Sequence, residues 1–166
     1  EEAEENDEDP PSPSPLPKVP DEGPGSDGIK GVAPKAKILS ASVFLGDGNH
    51  GGIDIEEQIP QAVRWAVDQG ADIINMSLGS NRQDWPRSWD DAFLYAEEND
   101  VLIVAAAGNR ATGALTVGAP ATIPGVLTVA GLDEDGSASW DSSSEGISIG
   151  VAAPADPLIG GWAVIP

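Results

Sequence analysis

An asparagine that directly follows an alanine-rich apolar run is the most informative candidate for chemistry in this sequence. The run Val101–Ala107 shrinks from branched side chains to three alanines, and Gly108 and Asn109 follow it. In open α/β sheets, ligands bind at the carboxyl ends of the strands. At such an edge the carboxamide of Asn109 can donate a hydrogen bond to an oxyanion that develops during acyl transfer. The alternative is an ordinary Gly-Asn turn, which asparagine favours through local hydrogen bonds.

The chain has a single histidine, His50, in the glycine-rich stretch Gly48–Gly52. A serine or threonine nucleophile activated by an imidazole would have to use this residue. The alternative is a polar loop residue between a strand and a helix, because no carboxylate is obviously placed to orient the ring. The chain has no cysteine. Disulfides, thiol catalysis and zinc sites with cysteine or several histidine ligands are therefore excluded.

Short apolar strands and amphipathic helices alternate along the chain and must position these residues. Helices are predicted over Asp54–Gln69, with a capping box of Asp54 and Glu57 and a stop at Gly70, and over Trp89–Asn99, capped by Ser88. Strands are predicted at Lys37–Phe44, Asp72–Ser77, Val101–Ala107, Gly125–Gly131 and Ile147–Val151. This order predicts the α/β class, with a parallel sheet flanked by helices on both faces.

Charge and composition limit the partners and divide the 166 residues. With 28 acidic and 8 basic residues, the net charge is −20, which disfavours nucleic acid and anionic membrane surfaces. The longest apolar run has seven residues, against roughly 20 for a membrane-spanning helix, and no basic and apolar leader opens the sequence. Residues 1–27 are acidic and rich in proline, so we expect a disordered spacer or insertion there and a domain over 28–166.

Four stretches together resemble the subtilisin-like serine proteases (subtilases, peptidase family S8), in the order of that family. In sequence they are Gly31-Val32-Ala33-Pro34, Asp72-Ile73-Ile74-Asn75-Met76-Ser77-Leu78-Gly79, Ala105-Ala106-Ala107-Gly108-Asn109 and Val151-Ala152-Ala153-Pro154. The two middle stretches are specific. The last is weaker, because Ala155 stands where the family usually has glycine.

The resemblance implies roles for particular residues. Asn109 would be the catalytic oxyanion donor, and Ser77, Leu78 and Gly79 would pair with an extended polypeptide substrate. Residues Ala106, Gly108 and Gly118 would line the pocket for the side chain before the scissile bond, and His50 would lie on the facing edge of the substrate groove. No cofactor or metal is expected, and calcium, which the family can use, is not readable from these residues. The resemblance further implies a hydrolase that is secreted or lies at the cell surface.

The catalytic motifs of the family are missing from these residues. Subtilisins place their triad in the order Asp, His, Ser. The family carries the histidine in H-G-T and the serine in G-T-S, and neither motif occurs in the 166 residues. We therefore expect the central segment of a serine endopeptidase, with an incomplete fold, that is inactive by itself. Two alternatives stay open: a homologue without a triad that binds peptides or acts as a scaffold, and an unrelated α/β domain with chance similarity.

Overall fold

The computed structural model describes residues 32–43, 54–109, 116–139 and 144–155. The chain divides into two compact units, one of residues 1–36 with 159–166 and one of residues 37–158. Of the first unit, the described residues form a turn in which the amide of Ala36 donates to the carbonyl of Ala33 at 3.0 Å. The predicted boundary between residues 27 and 28 lies outside the described residues. All helices and strands below belong to the second unit.

A parallel sheet of four strands forms the centre of the second unit. Its strands are β1 (Ile73–Met76), β2 (Leu102–Ala106), β3 (Leu127–Leu132) and β4 (Ile149–Pro154), and they lie side by side in sequence order. Every neighbouring pair is parallel. The α/β class with a parallel sheet, predicted from short apolar strands, is therefore confirmed.

The first helix, α1 (Ile55–Asp68), begins and ends where the sequence predicts. The carboxylate of Asp54 accepts a hydrogen bond from the amide of Glu56 at 3.0 Å and so caps the helix. Gly70 follows the helix with a φ of 77°, a conformation that glycine adopts without strain. Four apolar side chains of one helical face are buried in the core: Ile59, Val63, Ala66 and Val67. Pro60 lies within the helix.

The second helix, α2 (Asp90–Glu98), begins one residue later than predicted, and the predicted cap at Ser88 is wrong. Ser88 lies inside a 3-10 turn over Arg87–Trp89, and Trp89 occupies the cap position with no side-chain cap bond. Trp89 is buried, and its indole nitrogen donates to the backbone carbonyl of Glu56 at 3.0 Å. This contact with α1 fixes the start of the helix in place of a serine cap.

Three predicted strands differ from the structure by two residues or more. The one predicted at Gly125–Gly131 begins at Leu127 and ends at Leu132. Residues 37–43 form no strand, and Ile38 is 88% exposed, because a strand needs a ladder partner and β1 pairs only with β2 among the described residues. Phe44, the predicted end of that strand, lies outside the described residues. The predicted strand Ile147–Val151 begins two residues later, at Ile149, and continues to Pro154. Its ladder with β3 runs that far, whereas Ile147 is almost fully exposed.

The described helices bury one face of the sheet and leave the other face apolar and open. Met76, Ile103 and Ala105 point into the core that the sheet shares with α1 and α2. On the opposite face Ile73 and Leu102 lie side by side and are 61% and 42% exposed. No helix in the described part of the chain is long and apolar enough to cross a membrane.

Candidate active site

Two neighbouring strands deliver the predicted site residues to one edge of the sheet. In the parallel ladder of β1 and β2, Met76 lies opposite Ala105. The segment Ser77–Gly79, which leaves β1, and the segment that leads from β2 to Asn109 therefore emerge at the same, carboxyl, edge. This is the edge at which open α/β sheets bind ligands.

Asn109 lies on the surface after a sharp change of chain direction. The amide of Ala107 still donates to the carbonyl of Val129 at 2.9 Å, so contact with β3 continues one residue beyond the end of β2. Gly108 then has a φ of 106°, which only glycine adopts readily. Asn109 itself is exposed. The turn thus removes Asn109 from the buried ladder and leaves its carboxamide accessible to a ligand.

The predicted substrate edge, Ser77–Gly79, continues the alternation of β1 outside the sheet. Ser77 and Gly79 are exposed, while Leu78 is half-buried and packs against the core. The hydroxyl of Ser77 accepts a hydrogen bond from the side-chain amide of Asn75 at 3.1 Å. A Cβ at Gly79 would meet no atom within 4 Å. The segment is therefore anchored by one side chain and open to an approaching chain.

The residues after this edge are hydrogen-bonded to a second segment, residues 119–122, and the sequence did not indicate this connection. The amide of Ser80 donates to the carbonyl of Ala119 at 2.9 Å, and the amide of Ala119 donates to the carbonyl of Arg82 at 2.8 Å. The hydroxyl of Thr122 donates to the carbonyl of Gln83 at 2.7 Å. These contacts join residues distant in sequence, so no local pattern could have indicated them.

The three residues predicted to line a specificity pocket have different surroundings. Ala106 is exposed at the end of β2, Gly108 is half-buried, and Gly118 is buried. A Cβ at Gly118 would lie 2.0 Å from the carbonyl oxygen of Ser80, so Gly118 packs against the base of the substrate edge. A shallow cavity near Phe93 and Val101 lies at the amino end of β2, away from these residues. His50 lies outside the described residues.

An exposed ion pair follows the segment Ser77–Gly79 in the sequence. The guanidinium of Arg82 donates to the carboxylate of Asp84, and this hydrogen bond lowers the pKa of Asp84 and raises that of Arg82. Among the described residues, no three His, Cys, Asp or Glu side chains lie close enough to hold a metal ion. Asn109 and the segment Ser77–Gly79 themselves offer a carboxamide, backbone amides and carbonyls, and one hydroxyl.

Comparison with known proteins identifies the fold family. The profile of the Subtilase family matches residues 19–163. The chain belongs to the subtilase family. Fervidolysin from Fervidobacterium pennivorans is 38% identical over 133 residues, which cover 74% of this chain and 18% of that protein. The halolysin-like extracellular serine protease Nep of Natrialba magadii is 43% identical over 117 residues, covering 70% of this chain and 20% of that protein.

A solved structure agrees with this assignment. Sphericase superposes with a TM-score of 0.63 at 34% identity, over 76% of this chain and 46% of its own. The subtilase chain described here therefore spans less than half of that structure and about a fifth of the two relatives. The segments after β1 and β2 provide hydrogen-bond donors and acceptors that suit an extended peptide and a developing oxyanion.

Proposed function

We propose that this chain supplies the oxyanion donor and the peptide-pairing edge of a serine endopeptidase that acts on extended polypeptides. The observation that carries the proposal is the shared sheet edge of Ser77–Gly79 and Asn109, fixed by the pairing of Met76 with Ala105. Family membership and the names of its relatives support the same class of enzyme.

The chemistry follows from the groups at this edge. A peptide in extended conformation pairs with the exposed backbone of Ser77–Gly79 through main-chain hydrogen bonds, which give affinity without a requirement for particular side chains. When a nucleophile adds to the carbonyl carbon, negative charge develops on the carbonyl oxygen. The side-chain amide of Asn109 then donates a hydrogen bond to this oxygen and stabilises the transition state.

The chain has no recognisable motif for the serine that attacks the peptide or for the histidine that removes the proton of that serine. Neither H-G-T nor G-T-S occurs in the 166 residues. We therefore expect the chain alone to bind peptides without cleaving them. An amidase assay on the purified chain should show no turnover above a heat-denatured control, and turnover that disappears in His50→Ala would contradict this expectation.

A chimera tests the role of Asn109 directly. Residues 72–109 replace the matching segment of sphericase, and kcat and KM are measured for a peptide amide. In Asn109→Ala we expect kcat to fall by about 10²–10³ with little change in KM; this magnitude is taken from subtilisin itself. The matched control is Asn99→Ala at the end of α2, where the amide donates to the carbonyl of Tyr95 at 2.8 Å. Equal kcat in the two variants would refute the assignment.

The second candidate is a peptide-binding or scaffold domain without catalysis. The exposed edge favours it, because pairing with an added strand needs no nucleophile. If the sphericase chimera that carries residues 72–109 binds the peptide amide but shows no turnover, this second candidate is supported.

Since Nep is named an extracellular protease, we also propose secretion or display at the cell surface. Fractionation of the source culture with an antibody to this chain would test this.

A further inference from the structure

Two glycines of the candidate site have opposite surroundings. A Cβ at Gly79 would meet nothing within 4 Å, whereas a Cβ at Gly118 would lie 2.0 Å from the carbonyl oxygen of Ser80 and 3.1 Å from that of Arg82. Neither glycine has a positive φ. Space therefore decides which side chains the two positions accept. The open side of Gly79 leaves room for a ligand, and the absence of a side chain at Gly118 lets the backbone of Ser80 and Arg82 pack against it.

Hydrogen bonds on both sides hold the close approach at Gly118. Ala119 accepts from the amide of Ser80 at 2.9 Å and donates to the carbonyl of Arg82 at 2.8 Å. The hydroxyl of Ser80 accepts from the amide of Arg82 at 3.2 Å and donates to its carbonyl at 3.0 Å. We call these four residues, Ser80, Arg82, Gly118 and Ala119, the clamp. Ala119 is 2% exposed, so this part of the clamp is packed against the core.

We infer that Gly118 and Ser80 are positioning residues, which hold the edge Ser77–Gly79 where a peptide strand can pair with it. The inference rests on the proposed function for the use of that edge. A methyl group at Gly118 must displace the Ser80 carbonyl by about 1 Å, because Cβ atoms essentially never approach a backbone atom within 3.0 Å. Gly79 is bonded to Ser80 and moves with it, which misaligns hydrogen bonds that weaken steeply with angle.

The test compares Gly118→Ala with Val63→Ala in the full chain. Val63 is a core residue of α1, 1% exposed, so its truncation destabilises the fold without touching the clamp. In the peptide-free chain, NMR should show the amide resonances of Ser77–Gly79 displaced in Gly118→Ala and unchanged in Val63→Ala. For a capped hexapeptide of alanine and leucine, we expect Gly118→Ala to bind roughly three- to tenfold more weakly than Val63→Ala.

A second pair of variants covers the case in which Gly118→Ala does not fold. Ser80→Ala removes the hydroxyl that bridges Arg82, and Ser80→Thr keeps it. We expect affinity for the same hexapeptide to fall about two- to fivefold in Ser80→Ala and to be retained in Ser80→Thr. A rescue of this kind separates positioning from a general loss of stability.

The outcomes distinguish the clamp from the proposed function. Unmoved Ser77–Gly79 resonances in Gly118→Ala, or equal affinities of Ser80→Ala and Ser80→Thr, would overturn the clamp while peptide binding by the wild-type chain stands. If the hexapeptide leaves these resonances of the wild-type chain unchanged, the proposed edge is wrong. In that case the amide resonances of Ser77–Gly79 in the peptide-free Gly118→Ala chain still test whether the clamp positions this segment.

Discussion

Replacement of Thr128 by valine removes one buried hydrogen bond, which links β3 to the turn beside the candidate site. The hydroxyl of Thr128 donates to the carbonyl of Ala121 at 2.6 Å, and the two residues are 0% and 1% exposed. Ala121 in turn donates its amide to the carbonyl of Gly118 at 3.1 Å. The bond thus connects β3 with the turn that carries the clamp.

The expected cost follows from burial and shape. Valine has nearly the shape of threonine and fits a strand at least as well, so propensity contributes only a few tenths of a kcal/mol in its favour. The substitution removes the bond and leaves the carbonyl of Ala121 buried against a methyl group, where water does not replace the donor. A lost bond with an unsatisfied buried partner costs about 1–3 kcal/mol. We expect the Tm to fall by roughly 2–4 °C for each kcal/mol in a chain of this length.

Thr122→Val provides the matched control. The hydroxyl of Thr122 also donates to a backbone carbonyl, that of Gln83, at 2.7 Å, but this bond is exposed. Water can satisfy the carbonyl after the substitution, so we expect a change within about 0.5 kcal/mol. Urea unfolding followed by tryptophan fluorescence measures both variants, with unchanged m-values as the check on comparability. If Thr128→Val proves as stable as Thr122→Val, the buried bond contributes nothing and the reasoning fails.

Three further predictions concern the remainder of the fold. Asp54→Ala should destabilise α1 by about 1 kcal/mol in urea unfolding, whereas Asp54→Asn, which still caps, should change stability by only a few tenths; equal losses would contradict the cap. Tyr95, the single tyrosine of the chain, donates to the carboxylate of Asp68 at 2.9 Å, which raises its pKa above the ordinary 10.0. The stability from this bond is present below pH 10 and is lost as the pH rises through the raised pKa, so phenolate absorbance should appear at lower pH in Asp68→Asn, and an unchanged midpoint would refute the bond. The open sheet face should make the chain only marginally stable and prone to associate, and Leu102→Lys should raise the monomer fraction in gel filtration; a sharp thermal transition of a monomeric wild-type chain would count against this.

Local patterns were sufficient for the elements whose determinants lie close together in sequence. The cap at Asp54, the amphipathic pattern of α1 and the stop at Gly70 lie within one segment and match the structure, although Asp54 accepts from the amide of Glu56 and not from that of Glu57, its predicted partner in a capping box. Ser88 was a reasonable cap by composition, but Trp89 donates to the carbonyl of Glu56 in another element, and this tertiary contact determines where α2 begins. A window confined to α2 contains no sign of that partner.

Contacts between distant segments also determine residues 37–43 and the packing of Gly118. The apolar composition of residues 37–44 is typical of a strand, yet strand formation depends on a neighbour that local sequence cannot specify. Asn109 could be selected because an apolar run ends just before it. The packing of Gly118 under Ser80 could not be predicted, because the two residues are distant in sequence and the glycine carries no pattern of its own.

The register of β1 against β2 determines both which side chains enter the core and where the site residues lie. Along β1 and the residues after it, burial alternates, so that Met76 is buried, Ser77 exposed, Leu78 half-buried and Gly79 exposed. A shift of one residue in the ladder would turn Met76 toward the open face and would bury the side of the chain that now meets solvent. Because β1 and β2 are parallel neighbours, the same register also sets where the chain leaves β2 toward Asn109. The position of a peptide relative to the carboxamide therefore depends on apolar residues of β1 and β2 that never contact a ligand, and substitution of Met76 or Ala105 should alter peptide binding through register before it abolishes folding.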